Sequence, residues 1–137
     1  MKVFLDTNIL LDTLVVRPDK SFTENSMQIL SLGENGVLDL YISVLSVPTI
    51  AYVLKNKTSE QKKSIITDLT SIVKVLPSLP QHVETMLESP IRDIEDALQI
   101  QSAKEGQCDL IVTRNTRDFT DAGMPVMSPE GLLKRIF

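Results

Sequence analysis

The chain is poor in cysteine and in aromatic rings. Its 137 residues include one cysteine, no tryptophan and only 4% aromatic residues. A single cysteine excludes an intrachain disulfide and gives no sign of an oxidising compartment. With so few rings, the core must be built from Leu, Ile and Val. That apolar content suits a parallel sheet buried under helices on both faces.

Long hydrophobic runs and an excess of basic residues are also missing. No apolar run approaches the roughly 18 residues of a membrane span. The five residues before Asp6 are too few for a signal peptide, so we expect a cytoplasmic protein. The formal net charge of −4 argues weakly against a simple electrostatic nucleic-acid binder, which carries a basic face. It argues less against a nuclease, where acidic residues cluster to hold cations.

Two common catalytic devices cannot be assembled from these residues. The only histidine, His82, lies far in sequence from the acidic residues discussed below, so no Ser/His/Asp arrangement is supported. The five glycines are isolated, so there is no Gly-rich phosphate loop.

What the chain does contain is a regular alternation of strand and helix patterns. Short apolar segments predict strands at 2–6, 38–42, 73–76, 109–113 and 125–127, with helical patterns between them. No repeat or linker interrupts the alternation, so we expect one domain over 1–137. The pattern predicts an α/β fold with three layers, α/β/α, around a central parallel sheet of four to five strands. Ligands bind at the carboxyl ends of such strands.

Acidic and polar side chains come from three segments that should meet at this edge of the sheet. Asp6 ends the first strand; Asp93 and Asp96 begin the helix before the fourth strand; Thr113, Asn115 and Asp118 follow the fourth strand. Carboxylate oxygens are the ligands that Mg²⁺ and Mn²⁺ prefer. A metal held there can activate water and neutralise a phosphoryl group, so metal-assisted phosphodiester hydrolysis is the chemistry these residues support best.

Helix phase ranks the acids of the late helix. At about 100° per residue, Asp93 and Asp96 fall on one side and should face a partly buried pocket. Glu95 shares its side with Gln99 and Ser102 and should face water. Two like charges on one helix face repel each other, and a bound cation would offset that cost.

Structural explanations compete with this interpretation for each acid alone. Asp6 could cap the first helix, and Asp118 could be a turn residue. Asp96 could simply interact favourably with the helix dipole, as acids in the first turn of a helix do. Their joint placement at one sheet edge favours a functional site.

At these residues the sequence resembles the PIN-domain family, which includes the toxin ribonucleases of bacterial VapBC toxin–antitoxin pairs. The matching segments are Phe4-Leu5-Asp6-Thr7-Asn8, Asp96-Ala97 and the stretch from Val112 to Phe119. The resemblance covers nearly the whole chain. It implies a Rossmann-like sheet, Mg²⁺ or Mn²⁺ as cofactor, and endonucleolytic cleavage of RNA. It also implies homodimers and a cognate antitoxin protein.

Carried over residue by residue, the resemblance assigns the metal to Asp6, Asp96 and Asp118, which with Asp93 form the expected catalytic set. Expected pocket-lining residues are Asn8, Ser43, Glu95, Thr113 and Asn115. Candidate phosphate contacts with the substrate are Arg17, Arg114 and Arg117, although each could equally be an ordinary solvated charge.

One position departs from the family pattern. Many PIN nucleases carry a glutamate in the helix after the second strand, where this chain has Thr49. Threonine cannot supply that charge. Either Asp93 and Glu95 compensate from the other helix, or metal affinity and activity are reduced; the cluster Asp93-x-Glu95-Asp96 resembles a PIN subgroup and favours compensation.

Two alternatives to a ribonuclease toxin remain. Thr49 motivates a catalytically weakened PIN domain that binds RNA or a protein. A phosphoryl-transfer domain of the receiver or haloacid-dehalogenase type also places an Asp after its first strand. Here the triplet Asp6-Thr7-Asn8 lacks a second acid, and no suitable Lys follows the fourth strand.

Overall fold

The fold is built on five strands, described here in a computed structural model that covers all 137 residues. The strands are β1 (Lys2–Leu5), β2 (Asp39–Ser43), β3 (Val73–Leu76), β4 (Leu110–Val112) and β5 (Val126–Met127). All pairings are parallel and the spatial order is β3-β2-β1-β4-β5. The predicted strands are therefore all present, and the predicted fold class is confirmed.

Seven α-helices and one 3₁₀ turn connect the strands. They are α1 (Thr7–Leu14), α2 (Lys20–Glu34), α3 (Ser46–Val53), α4 (Ser59–Thr70), α5 (Pro80–Leu87), α6 (Ile94–Glu105), the 3₁₀ turn Thr116–Phe119 and α7 (Pro129–Ile136). None of them is long and apolar enough to cross a membrane.

The helix after β2 is shorter than the sequence pattern predicts. The pattern predicts a cap at Ser43 followed by a helix to Lys57, whereas α3 spans only Ser46–Val53. The Ser43 hydroxyl accepts a hydrogen bond from the Leu45 N–H (3.1 Å), which forms a turn before the helix instead of its cap.

The strands carry apolar side chains on both faces of the sheet, so helices cover both faces. Val3 and Leu5 pack into one core cluster together with residues of α1, α2, α3, α4 and α7. Phe4 and Ile111 point to the opposite face, where they pack with Ile100 of α6. The two clusters make the three layers of the fold.

The chain winds in two directions from the central strand. From β1 it proceeds outward to β2 and β3, then returns to place β4 and β5 on the other side. The carboxyl ends of β1 and β4 therefore form a topological switch point, the usual ligand site of open parallel sheets. Leu5 pairs with Val112 across this point, so the residues that follow them, Asp6 and Thr113, lie at the same edge.

Candidate metal and nucleic-acid site

Asp6 lies at the switch point with only 5% of its surface exposed. The Thr113 hydroxyl donates to one of its carboxylate oxygens (2.7 Å) and the Gln99 amide donates to the other (3.1 Å). Its side chain does not cap α1. The simple capping role considered for Asp6 is thus not realised, and its carboxylate is held by strand β4 and helix α6 instead.

Burial and hydrogen bonding act on Asp6 in opposite directions. Removal from water raises the pKa of its carboxyl group, while the hydrogen bonds from Thr113 and Gln99 favour the ionised form and lower it. Burial dominates, so the pKa of Asp6 lies above its ordinary value. Keeping this carboxylate ionised in its buried position therefore lowers the stability of the folded protein.

Asp96 experiences the densest negative charge of the site. Partial burial raises its pKa to about 7, and the charges of Asp6, Asp93, Asp118 and Glu95 push it in the same direction. None of these five carboxylates forms an ion pair with a Lys, Arg or His side chain. The site is an uncompensated acidic cluster.

Glu95 points into the site, so the prediction that it faces water is wrong. The Thr7 hydroxyl donates to its carboxylate (3.2 Å) and also contacts the hydroxyl of Ser46 on α3 (2.7 Å). The helix side that Glu95 shares with Gln99 and Ser102 is buried, with those two residues 1% and 0% exposed. Helix phase gave the wrong prediction because this side of α6, although polar, packs against other polar groups rather than facing water.

Asp93 and Asp118 lie close enough to Asp96 for their charges to raise its pKa. Asp93 caps α6 by accepting a hydrogen bond from the Asp96 N–H (2.9 Å). Asp118 lies in the 3₁₀ turn and is exposed, as is Asn115. Ser43 is fully buried at the carboxyl end of β2.

Two buried oxygens beside the acids lack hydrogen-bond donors. They belong to the side-chain carbonyls of Asn8 and Gln99. A buried acceptor without a donor costs free energy, and ordered water is its usual partner. Gln99 bonds directly to Asp6, so its unpaired oxygen lies close to that carboxylate, whereas Asn8 lies in the first turn of α1.

The donor chemistry and charge of the cluster fit a hard divalent cation. All its potential ligands are carboxylate, hydroxyl or amide oxygens. In this structure, however, no three Asp, Glu, His or Cys side chains are arranged to hold a metal ion. The oxygens of Asp6 are turned towards Thr113 and Gln99, and one of Asp93 towards the backbone. A cation would have to draw the carboxylates together.

The three arginines predicted to contact substrate occupy two different places. Arg17 and Arg114 converge on the buried carboxylate of Asp12. Arg117 is exposed and borders a cavity of about 390 Å³ together with Asp93 and Asp118. Of the three predicted arginines, Arg117 is therefore the one that shares a wall with two of the acids, and Arg92 lines the same cavity.

Sequence reasoning missed two residues that organise this region. Gln99 was expected to face water, but it lies one helical turn after Asp96 and thus faces the same pocket. Asp12 was not singled out, although it lies three residues after the buried Ile9 and is the only charged residue of α1. A charged residue on a buried helix face was the available signal.

Comparisons with known proteins agree with this architecture. The model of a PIN domain family matches residues 2–117. A comparison with curated protein sequences found no match.

Several solved structures share the fold at low sequence identity. FitAcB from Neisseria gonorrhoeae has a TM-score of 0.68 at 19% identity, with 93% of this chain and 98% of that chain covered. VapBC2 from Rickettsia felis, bound to a DNA fragment from its promoter, has a TM-score of 0.66 at 21% identity, with coverage of 93% and 98%. A toxin–antitoxin complex from Klebsiella pneumoniae has a TM-score of 0.67 at 24% identity, with coverage of 93% and 97%.

Proposed function

Because the chain belongs to the PIN domain family, we propose that it is a Mg²⁺- or Mn²⁺-dependent endoribonuclease that hydrolyses RNA phosphodiester bonds. PIN domain toxins are generally nucleases, and the family generally uses divalent metal ions. The observation that carries the proposal is the acidic cluster at the switch point, which has no cationic partner in the chain. An external cation is the partner that such a cluster lacks.

In this proposal Asp6, Asp96 and Asp118 hold the metal and Asp93 assists them. The bound cation supplies Lewis acidity, activating water and neutralising charge on the phosphoryl group. Ionised Asp96 is required for that role. Because its pKa is raised to about 7 by burial and by its acidic neighbours, protons compete with the cation for this carboxylate near neutral pH.

The chain's own polar residues position the ligands and the water. Thr113 and Gln99 fix the orientation of the Asp6 carboxylate. The unpaired oxygen of Gln99, next to Asp6, accepts a hydrogen bond from water in the pocket. Asn115 lines the exposed side, where the substrate enters.

Glu95 takes the place of the acid that the family pattern expects at Thr49. Its carboxylate is linked through the Thr7 hydroxyl to Ser46 on α3. Thr49 lies one turn after Ser46 on the same helix, so the two share a side of α3. A long side chain from α6 therefore brings negative charge to the part of the site where the family usually places its α3 glutamate.

We also propose that the chain is the cytoplasmic toxin of a toxin–antitoxin pair, active as a homodimer and inhibited by a cognate antitoxin protein. The support is the shared fold: VapBC2 and the Klebsiella pneumoniae complex have chains that match this one over more than nine-tenths of its length.

A second candidate function is a catalytically weakened PIN domain that binds RNA or a protein. The observations that favour it are Thr49 in place of the expected acid and the absence of three carboxylates arranged around one ion.

Cleavage and metal binding distinguish the two functions. A structured RNA is incubated with the protein in Mn²⁺, Mg²⁺ or EDTA, beside Asp6→Asn and the exposed-residue control Asp68→Asn. Mn²⁺ binding is measured in parallel by calorimetry. The nuclease proposal expects cleavage that requires metal, disappears in Asp6→Asn and persists in Asp68→Asn. Failure to cut several RNAs, with equal Mn²⁺ binding by Asp6→Asn and wild type, would reject the nuclease proposal and favour the binding module.

A further inference from the structure

A second buried carboxylate lies beside the acidic cluster but has a different environment. Asp12 of α1 is 0% exposed. The Arg17 Nε donates to one of its oxygens (3.0 Å), and the Arg114 Nε lies 2.7 Å from the other. The N–H of Arg114 is not aimed at that oxygen, so this second contact is an ion pair without an aligned hydrogen bond.

The three side chains carry an unbalanced positive charge. One carboxylate faces two guanidinium groups, and neither arginine pairs with any other acid. Asp12 engages only the Nε side of each guanidinium, which leaves the terminal Nη groups of both without a protein acceptor. The arginine side chains are 33% and 24% exposed, so these Nη groups can meet an anion from solvent.

Two contacts restrain the Arg114 side chain. Its guanidinium lies over the Phe22 ring at 4.7 Å from the ring centre, while Asp12 holds its Nε side. A guanidinium fixed by stacking and by an ion pair loses little further freedom when it binds a ligand. Its two free Nη groups match the bidentate geometry of a phosphate.

The arginine pair is connected to the acidic cluster along the surface. Arg114 directly follows Thr113, whose hydroxyl holds Asp6. A cavity of about 310 Å³ is lined by Arg114, Asn115, Thr116, Arg117 and Asp118. It therefore runs from Arg114, one member of the arginine pair, to Asp118, a proposed metal ligand.

We propose that Arg17 and Arg114 bind a backbone phosphate of single-stranded RNA next to the phosphate that is cleaved. The cavity between Arg114 and Asp118 then carries the linking nucleotide. Asp12 acts as a positioning residue that fixes both guanidinium groups. This inference rests on the proposed nuclease function, and it adds the path of the substrate strand through the site.

The inference is tested by the salt dependence of RNA binding in the uncleaving Asp6→Asn background. A fluorescein-labelled single-stranded RNA is titrated with protein in Mg²⁺ at several salt concentrations. Each neutralised phosphate of a single strand contributes about −0.7 to the slope of log affinity against log salt. We expect Arg17→Gln and Arg114→Gln each to make the slope shallower by about 0.7 and to weaken binding about tenfold at low salt.

Two further variants separate phosphate binding from a structural role. Arg135→Gln removes the same charge from the exposed end of α7 and should leave the slope unchanged. Arg114→Lys keeps the charge but loses the fork, so it should preserve the slope while weakening binding. Thermal unfolding of every variant establishes that the compared proteins are folded.

The possible outcomes separate this inference from the proposed function. If wild type cleaves RNA but Arg17→Gln and Arg114→Gln bind with the slope of Arg135→Gln, the pair is only a counter-ion for Asp12 and the inference fails alone. If wild type cleaves no RNA while both variants lose slope, the phosphate site stands and the nuclease proposal fails.

Discussion

The molecule buries carboxylates in two neighbouring places and treats them in opposite ways. Asp12 is completely buried and is met by two arginines. Asp6 and Asp96 are buried or half-buried among other acids, and no cationic side chain reaches them. The two places are joined by a single helix, since α1 starts directly after Asp6 and contains Asp12.

The acidic cluster lacks counter-ions even though two arginines lie nearby. Both of these arginines pair with Asp12 in the same part of the fold, and neither pairs with an acid of the cluster. Burial and, for Asp96, the neighbouring carboxylates raise the pKa of both groups, so holding them ionised without a cation lowers the stability of the fold. Such a cost is typical of a functional site, where stability is given up for chemistry.

The largest effect that tests this contrast is on activity. We expect Asp96→Asn to lower the rate of RNA cleavage in Mn²⁺ by about 1000-fold, because it removes a proposed metal ligand and, with it, several kcal/mol of charge stabilisation. Single-turnover rates on a labelled RNA measure the change, with Asp68→Asn as the matched surface control. A loss below tenfold would remove Asp96 from the proposed ligand set.

Stability should respond in opposite directions at the two places. Asp12→Asn should lower the free energy of unfolding by about 3 kcal/mol, because it removes the buried negative charge that pairs with Arg17 and Arg114. Asp96→Asn should raise it by about 1 kcal/mol at pH 8 in EDTA, a value reduced for the solvent screening of a half-exposed group. Urea unfolding at pH 8 measures both. Equal signs for the two substitutions would break the comparison.

A smaller effect tests whether Glu95 supplies the charge missing at Thr49. Glu95→Gln should weaken Mn²⁺ binding about tenfold, the loss typical of a residue that supports metal ligands. The double variant Glu95→Gln/Thr49→Glu should recover most of that affinity, since the acid returns from α3. Calorimetry with Mn²⁺ provides the measurement, and no recovery would show that charge at the two positions is not interchangeable.

The smallest expected effect is on the pH dependence of stability without metal. The pKa of Asp96 is about 7 in the fold and 3.8 as the reference for the unfolded chain. The folded state therefore binds the carboxyl proton of Asp96 more tightly than the unfolded chain does. The stability gained from this tighter binding is fully present below about pH 4 and is lost as the pH rises to about 7. Asp6 contributes in the same direction. We expect a decline of about 1 kcal/mol across this window in EDTA, discounted for screening.

Asp96→Asn and saturating Mn²⁺ provide the checks on that pH dependence. The variant should flatten the decline, and bound metal should oppose it above pH 7 because the cation binds the ionised form. A free energy of unfolding that does not change from pH 4 to pH 7 in the wild type would contradict the burial and charge repulsion described for Asp96.

The sequence predicted the sheet more completely than the site. Each strand is a short apolar run between turn signals, and the alternation with helices leaves few topologies open. The edge where Asp6 and Asp118 lie followed from that topology. Which way Glu95 turns did not follow, because helix phase shows which residues share a side but not whether that side meets water or other polar groups.

The arginine pair was hardest to predict because its members come from unrelated parts of the chain. Arg17 follows α1 in a loop, and Arg114 follows β4. Their meeting at Asp12 depends on how two loops fold back over α1, which no local pattern encodes. Only the charge of Asp12 on the buried face of α1 indicated that some partner must reach it.

The central position of β1 also has a consequence for how the protein folds. Val3 pairs with Leu40 on one side and with Leu110 on the other, so the first strand is completed only when a segment from late in the chain returns to it. Such long-range pairing slows folding and makes it cooperative. Pulse-labelled hydrogen exchange should find β1 and β4 protected together. A chain still emerging from the ribosome, before Asp118 has left the exit tunnel, would hold Asp6 without the rest of its pocket.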